Sequence, residues 1–341
     1  MAFPNNPEIL LQSNELAIGF NSPCRVLHKH INVTIKKGDF VCLLGPNGAG
    51  KSTLIRTLTG FLKPISGNVY VEGIQLSSIS KQKLSKLISI VFTEKVMVPD
   101  MTVFDVVALG RSPYTGFFGK LSQSDLQKID EALHDTGATK LKSRSIASLS
   151  DGELQKTMIA KALVQDTPLI ILDEPTAFLD LPSRIETMDL LKTLALTKQK
   201  GILLSTHDLD LALRMADKIW LMASGRNMET GAPEDLILNN DFKRFFEKDG
   251  ILFDNESGAF AIDRPHAKTI RLIGKGIEYK WVQRALTRNG FETTSHQGDY
   301  LQVEILSNGH REYQLKHPSG HSISFRTIED LLARINHEEN F

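Results

Sequence analysis

Three short apolar runs punctuate the first 250 residues: Phe40–Leu44, Leu169–Leu172 and Gly201–Ser205. Runs of four or five apolar residues bounded by turn signals predict buried strands. Each ends abruptly in polar chemistry: the first in Gly45–Thr53, the second in Asp173-Glu174-Pro175, the third in Thr206-His207-Asp208. Polar groups gathered at strand C-terminal ends are the ligand-binding arrangement of open α/β sheets. The helical period opening at Leu54 predicts a helix directly after the first run, and the stretch from about Val96 to Ser148 reads as mostly helical, with turn signals at Ser112-Pro113 and Gly116 to Gly119. It is expected to be an inserted helical subdomain, about residues 96–156, of a first domain covering 1–250.

Past Ile251 the pattern changes. Residues 251–267 read as a linker, and the 74 residues from 268 to 341 predict a small β-α-β-β-α domain. Its expected elements are a strand (Thr269–Ile273), a helix (Tyr279–Asn289), two strands (Tyr300–Leu306 and Glu312–His317) around an Asn308-Gly309 turn, and a last helix (Thr327–Asn336).

Composition narrows the function classes. The chain has 341 residues, 23% charged and 41% hydrophobic with 24 Gly, which fits about two globular domains and excludes a largely disordered chain. Forty Lys and Arg balance forty Asp and Glu, so no bulk positive field favours nucleic acid or an anionic membrane. No uncharged apolar run approaches the ~18–20 residues that span a bilayer, and the opening MAFPNNPEIL lacks a basic n-region and an apolar h-region. The expectation is a chain neither integral nor secreted. Two cysteines, Cys24 and Cys42, make no disulfide framework, and Cys42 sits in an apolar run where a small thiol packs well.

The strand, glycine loop and helix around Gly45-Pro-Asn-Gly-Ala-Gly-Lys-Ser52 match the phosphate-loop pattern in its required context. Gly45, Gly48 and Gly50 let backbone N–H groups approach phosphates, Lys51 reaches the β- and γ-phosphates, and Ser52 offers its hydroxyl to Mg²⁺, with Asn47 and Thr53 in the same loop. Asp173 is placed to hold Mg²⁺ through water and Glu174 to polarise an attacking water, although adjacent carboxylates also suit a plain helix start. Ser150 and Glu153 have the spacing of a capping box, and a capped N-terminus with Gly152 beside it is also an anion site.

Gly45–Thr53, Leu149–Glu153, Leu169–Glu174, Ala177–Asp180 and His207 together resemble, in order and spacing, the nucleotide-binding subunit of ATP-binding cassette (ABC) transporters over about residues 10–250. The resemblance implies an α/β fold with a phosphate-loop NTPase (RecA-like) core, and ATP with Mg²⁺ as cofactors. It implies a head-to-tail dimer in which Ser150 and Gly152 of one copy close on the phosphate loop of the other. It also implies that Phe20 stacks on adenine, that Asp180 communicates between sites and that His207 contacts the γ-phosphate; a core aromatic and a core histidine are the plain alternatives. Two positions depart from the pattern. Glu94 stands where the family usually has glutamine near the metal, and the signature reads Ser-Asp-Gly-Glu instead of Ser-Gly-Gly-Gln. Both changes add negative charge near phosphate sites, and the Asp151 and Glu153 side chains are expected to point away from them.

Val98–Val103, Val107–Thr115 and Leu121–Asp125 are similar to the ATPases of importers for ferric siderophores, haem and cobalamin. That similarity implies polytopic permease partners, a substrate-binding protein, no nucleic acid, and a peripheral place on the cytoplasmic face of the inner membrane. A soluble ABC ATPase acting on DNA or ribosomes is the alternative, disfavoured by one cassette and only 99 residues from Lys51 to Ser150. In the C-terminal domain five histidines (His296, His310, His317, His321 and His337) invite a metal reading, but their spacing suits solvated surface side chains better.

Overall fold

The computed structural model describes residues 8–21, 24–93, 100–116, 119–246, 251–254, 258–262, 268–298, 300–307 and 311–338. The chain divides into two compact units. The first opens with β1 (Ile9–Asn21), β2 (Cys24–Ile31) and β3 (Thr34–Lys36), then β4 (Phe40–Leu44), which runs into α1 (Lys51–Leu58). β5 (Ser66–Val71), β6 (Ile74–Gln75), α2 (Lys81–Leu84) and β7 (Ile88–Val91) follow. Next come three helices, α3 (Val103–Ala108), α4 (Gln123–Asp135) and α5 (Asp151–Val164), the last running beyond the expected boundary near residue 156. The chain then alternates: β8 (Leu169–Leu172), α6 (Leu181–Lys198), β9 (Gly201–Ser205), α7 (Leu209–Met215), β10 (Lys218–Leu221), β11 (Glu229–Gly231), α8 (Pro233–Leu238) and α9 (Asp241–Phe246).

A six-stranded sheet has the order β11-β10-β4-β9-β8-β7, parallel except for the β11 edge. The apolar runs make sense here because both faces are covered. Phe40, Cys42 and Leu44 enter one core with Ile170, Leu172, Ile202 and Leu204, while Val41 and Leu43 enter the other with Leu169, Ile171 and Leu203. Burial also pushes the Cys42 thiol pKa up, as expected of a small packed side chain. Pairing of Leu43 with Ser205 and of Leu172 with Leu204 brings the carboxyl ends of β4, β8 and β9 to one edge.

The three inserted helices each begin with a reciprocal side-chain cap, at Thr102–Asp105, Ser122–Asp125 and Ser150–Glu153. A buried ion pair fixes their packing. Arg111 Nε donates to Asp125 Oδ1 at 2.7 Å and its Nη1 to the Val164 carbonyl at 3.0 Å, while its guanidinium lies 3.9 Å from the Tyr114 ring centroid.

Two expectations need correction. The segment expected as a linker contains a hairpin, β12 (Ile251–Asp254) and β13 (Ala259–Ile262), because Phe253 and Phe260 give it an apolar face that docks on α9. The C-terminal unit has two strands more than expected. It runs β14 (Lys268–Ile273), α10 (Gly276–Arg288), β15 (Phe291–Thr294), β16 (Leu301–Ser307), β17 (Arg311–Lys316), β18 (Ser322–Phe325) and α11 (Ile328–Glu338). Its sheet order is β15-β14-β16-β17-β18, with β14 parallel to both neighbours. β15 carries one buried residue, Phe291, and β18 is largely exposed, so neither shows an alternating apolar face to be read from sequence. The Asn308-Gly309 turn lies outside the described residues.

Candidate nucleotide site

Gly45 follows β4 where the backbone of the next strand end crowds it: a Cβ there would sit 2.0 Å from the Met222 carbonyl oxygen. Gly48 and Gly50 adopt φ of 78° and 99°, in the left-handed region that other residues enter at a cost. Gly50 is also the residue that starts α1, so no side chain caps that N-terminus and no acid lies in its first turn. The N–H groups there are left to an external acceptor, which suits an anion. Lys51 is buried, at 5% exposure, with its ammonium donating to the carbonyls of Gly45 at 2.8 Å and Pro46 at 3.3 Å. Burial pulls its pKa down, and the nearby Glu174 and Asp173 carboxylates partly offset that.

Phe20, at the end of β1, is 47% exposed. It lines a recess of about 460 Å³ with Asn47, Gly48, Gly50, Lys51, Ser52, Thr53 and Glu174. That volume suits a small-molecule ligand. Arg25 and Leu27 of β2 form part of the wall, and the His28 ring is hydrogen-bonded to the Ala49 carbonyl at 2.7 Å, bracing the loop from below.

The carboxylate pair is held by the neighbouring strand. Ser205 Oγ donates to Asp173 Oδ1 at 2.6 Å and accepts from the Glu174 N–H at 2.8 Å. Thr93 Oγ1 donates to the Asp173 carbonyl at 2.6 Å. Glu174 has φ of 52°, an uncommon conformation for a residue with a side chain, fixed by these bonds and by Ala177 N–H on its carbonyl. Its Oε1 lies 2.7 Å from His207 Nε2.

Ser150, Gly152 and Asp180 stand apart from the Phe20–Lys51 recess. Ser150 caps α5, and the Glu153 carboxylate turns back to accept the Ser150 N–H at 2.9 Å and the Arg144 guanidinium at 2.8 Å. The Ser150 N–H bond, with Arg144 assisting, holds the Glu153 pKa below its ordinary value. Gly152 sits 3.3 Å, measured from an ideal Cβ, from Ser183 Oγ at the start of α6, whose N-cap is Asp180. Asp180 accepts from Ser183, which lowers its pKa. Glu94 lies outside the described residues.

Sequence reasoning missed Ser205, His28, Thr93 and Arg25. Ser205 had a signal, a lone polar residue closing an apolar strand; the others sit in ordinary-looking segments and reach the loop, the carboxylate pair or the recess only through tertiary contact.

A glycine loop feeding an uncapped helix at the end of a central parallel strand, with a braced carboxylate pair at the adjoining strand end, defines a nucleotide-binding ATPase core of the phosphate-loop type. Residues 28–177 match the family model described as ABC transporter, and residues 267–336 match that of the iron ABC transporter C-terminal domain. An uncharacterized ABC transporter ATP-binding protein of Methanocaldococcus jannaschii is 38% identical over 83% of this chain and 98% of its own. The cobalamin import ATP-binding protein of Halobacterium salinarum is 34% identical (76% and 67%), and the iron(3+)-hydroxamate import ATP-binding protein of Bacillus subtilis 33% (70% and 88%). Among solved structures, a metal-chelate type ABC transporter in an inward-facing conformation superposes with a TM-score of 0.62 at 28% identity, over 70% of this chain and 89% of that one. A dimeric bacterial ABC transporter cassette gives 0.58 at 26%, over 66% and 99%. The chain belongs to the ATP-binding subunits of ABC transporters, ATPases coupled to transport. Nothing in these likenesses supports action on DNA or ribosomes. Among the described residues no helix is long and apolar enough to cross a membrane.

Proposed function

We propose that this chain is the ATP-hydrolysing subunit of a binding-protein-dependent importer for a ferric siderophore, haem or cobalamin. The observation that carries the ATPase reading is the Glu174 carboxylate, hydrogen-bonded to His207 and lining the same recess as Lys51 and Ser52. Phe20 stacks on the adenine, and the loop from Gly45 to Thr53 cradles the phosphates. Glu174 takes the proton of the attacking water, Lys51 and His207 hold the γ-phosphate, and Asp173 and Ser52 supply two hard oxygens for Mg²⁺, joined by Glu94 if its carboxylate reaches the metal. That donor set fits a cation that keeps water and phosphate ligands, and Mg²⁺ there would neutralise charge on the β- and γ-phosphates.

Because Ser150, Gly152 and Asp180 lie outside their own chain's recess, they are assigned to a second copy's site in a head-to-tail dimer. Residues 1–250 form the cassette and 268–341 an accessory domain, with the inserted helices meeting polytopic permease subunits at the cytoplasmic face of the inner membrane. The balanced charge favours protein partners over nucleic acid. The iron and corrinoid cargoes are taken from the relatives' names and from the iron-transporter model that matches the C-terminal unit. The test is reconstitution with a candidate partner permease in liposomes. ATP-driven uptake of one of the three cargoes, delivered by its binding protein, is expected; uptake of an unrelated solute, or none with all three, would contradict the cargo assignment.

A further inference from the structure

The hairpin β12–β13 lies outside both matched regions, yet it reaches the nucleotide site. Phe260 and Phe246 line a recess of about 290 Å³ together with Gly45, Asn47, Thr206 and His207. Phe260 is set by edge contacts to Phe246 (centroids 5.9 Å apart) and Phe253 (5.1 Å), and both of those rings stack on Phe242. Phe242 and Phe253 are buried, so a rigid aromatic base presents the Phe260 ring, itself 40% exposed, to the recess that His207 also lines.

The backbone around His207 is pinned. Thr206 N–H donates to the Leu43 carbonyl at 3.1 Å, Asp208 N–H to Thr206 Oγ1 at 3.0 Å, and Leu211 N–H to Asp208 Oδ1 at 3.2 Å. Among the described residues the imidazole itself has one polar tether, Nε2 to Glu174 Oε1. Its freedom is therefore rotation about its own side-chain bonds, between Glu174 on one side and the recess on the other. A space of about 290 Å³ exceeds the ~30 Å³ share of a water molecule many times over and readily takes a five-membered ring.

We propose that Phe260 is a positioning residue for His207: its ring closes the far side of the recess and keeps the imidazole against Glu174 and the phosphate end of the loop. This rests on the reading of Glu174 and His207 as parts of the ATPase site. Five residues separate the end of β13 from the start of β14, so the segment that bounds the travel of His207 is also the covalent lead into the C-terminal unit.

The experiment uses the full chain with Phe260→Ala, Phe260→Leu, His207→Ala and the double variant Phe260→Ala/His207→Ala. ATP affinity and single-turnover hydrolysis with Mg²⁺ are measured for each. Phe260→Ala is expected to slow hydrolysis about fivefold to tenfold with ATP affinity changed less than about twofold, Phe260→Leu to restore most of the rate, and Phe260→Ala to add no further loss when His207 is already alanine. The same fold-loss in both backgrounds, a loss expressed in ATP affinity, or no loss would overturn the proposal. A readout independent of turnover separates this from failure of the ATPase reading. In histidine-labelled protein the His207 ring resonances, identified by their absence in His207→Ala, are expected to shift in Phe260→Ala and to stay near their original positions in Phe260→Leu; unchanged resonances in Phe260→Ala would sink the idea whether or not the chain hydrolyses ATP.

Discussion

The Ser205 hydroxyl donates to Asp173 Oδ1 at 2.6 Å, and the same oxygen accepts from the N–H of Glu174. One side chain at the end of β9 thereby fixes both carboxylate-bearing residues at the end of β8. Two hydrogen bonds through one buried atom leave the Asp173 carboxylate little rotational freedom and support the left-handed backbone of Glu174.

Removing that hydroxyl leaves a half-buried N–H and a buried carboxylate oxygen without this partner, which costs ~1–3 kcal/mol. Ser205→Ala is expected to lower kcat by about tenfold while ATP still binds. Steady-state kinetics alongside an ATP titration checks it; an unchanged kcat would show that Asp173 and Glu174 are positioned by other contacts.

Ser205 also illustrates what was legible in the chain. The loop from Gly45 to Thr53, the Asp173-Glu174 pair and the central strands were all readable, because backbone needs and strand burial constrain local residue types directly. The bracing contacts of His28 and Thr93 were not, since each joins segments far apart in sequence through an ordinary polar side chain, and Arg25 meets the recess only through the fold. The hairpin at 251–262 was read as a linker for the opposite reason. Its Asn, Ser and Gly content looks like loop, and the packing of Phe253 on Phe242 and of Phe260 on Phe246 shows it as part of the first unit. Strands β15 and β18 went unread because each has too little buried surface to set a period of two.

The hairpin dictates where the chain can be cut. A protein ending near Arg264 retains Phe253 and Phe260, whereas one ending at Gly250 uncovers the buried ring of Phe242. Losing a buried phenylalanine's packing typically costs ~3–5 kcal/mol. Thermal melts are therefore expected to place the shorter fragment about 5–15 °C below the longer one, using the usual few degrees per kcal/mol for domains of this size. Equal melting temperatures would mean that the hairpin adds nothing to the first unit.

Acid should act through Asp125. Its pKa is held down to about 2, first by the Ser122 hydroxyl, then by the Ser122 N–H and Arg111, against burial that raises it. A depressed carboxylate pKa stabilises the fold fully above the unfolded value near ~3.9 and loses that contribution as pH falls through about 2. The denaturation midpoint is expected to fall between pH 4 and 2, with a shallower fall in Asp125→Asn. At neutral pH, Asp125→Ala strands the buried Arg111 charge and should cost ~3–5 kcal/mol in urea unfolding. A loss below about 1 kcal/mol, the level of an exposed pair, would show that Arg111 finds other compensation.

The most direct measurement is Mg²⁺-dependent ATP hydrolysis by the full chain beside its Glu174→Gln variant. The amide keeps the shape of the side chain but cannot accept a proton from water, so turnover is expected to fall by about 10²–10⁴ while ATP stays bound and the two copies remain associated. Full activity in Glu174→Gln, or no hydrolysis by the unaltered chain, would contradict the account.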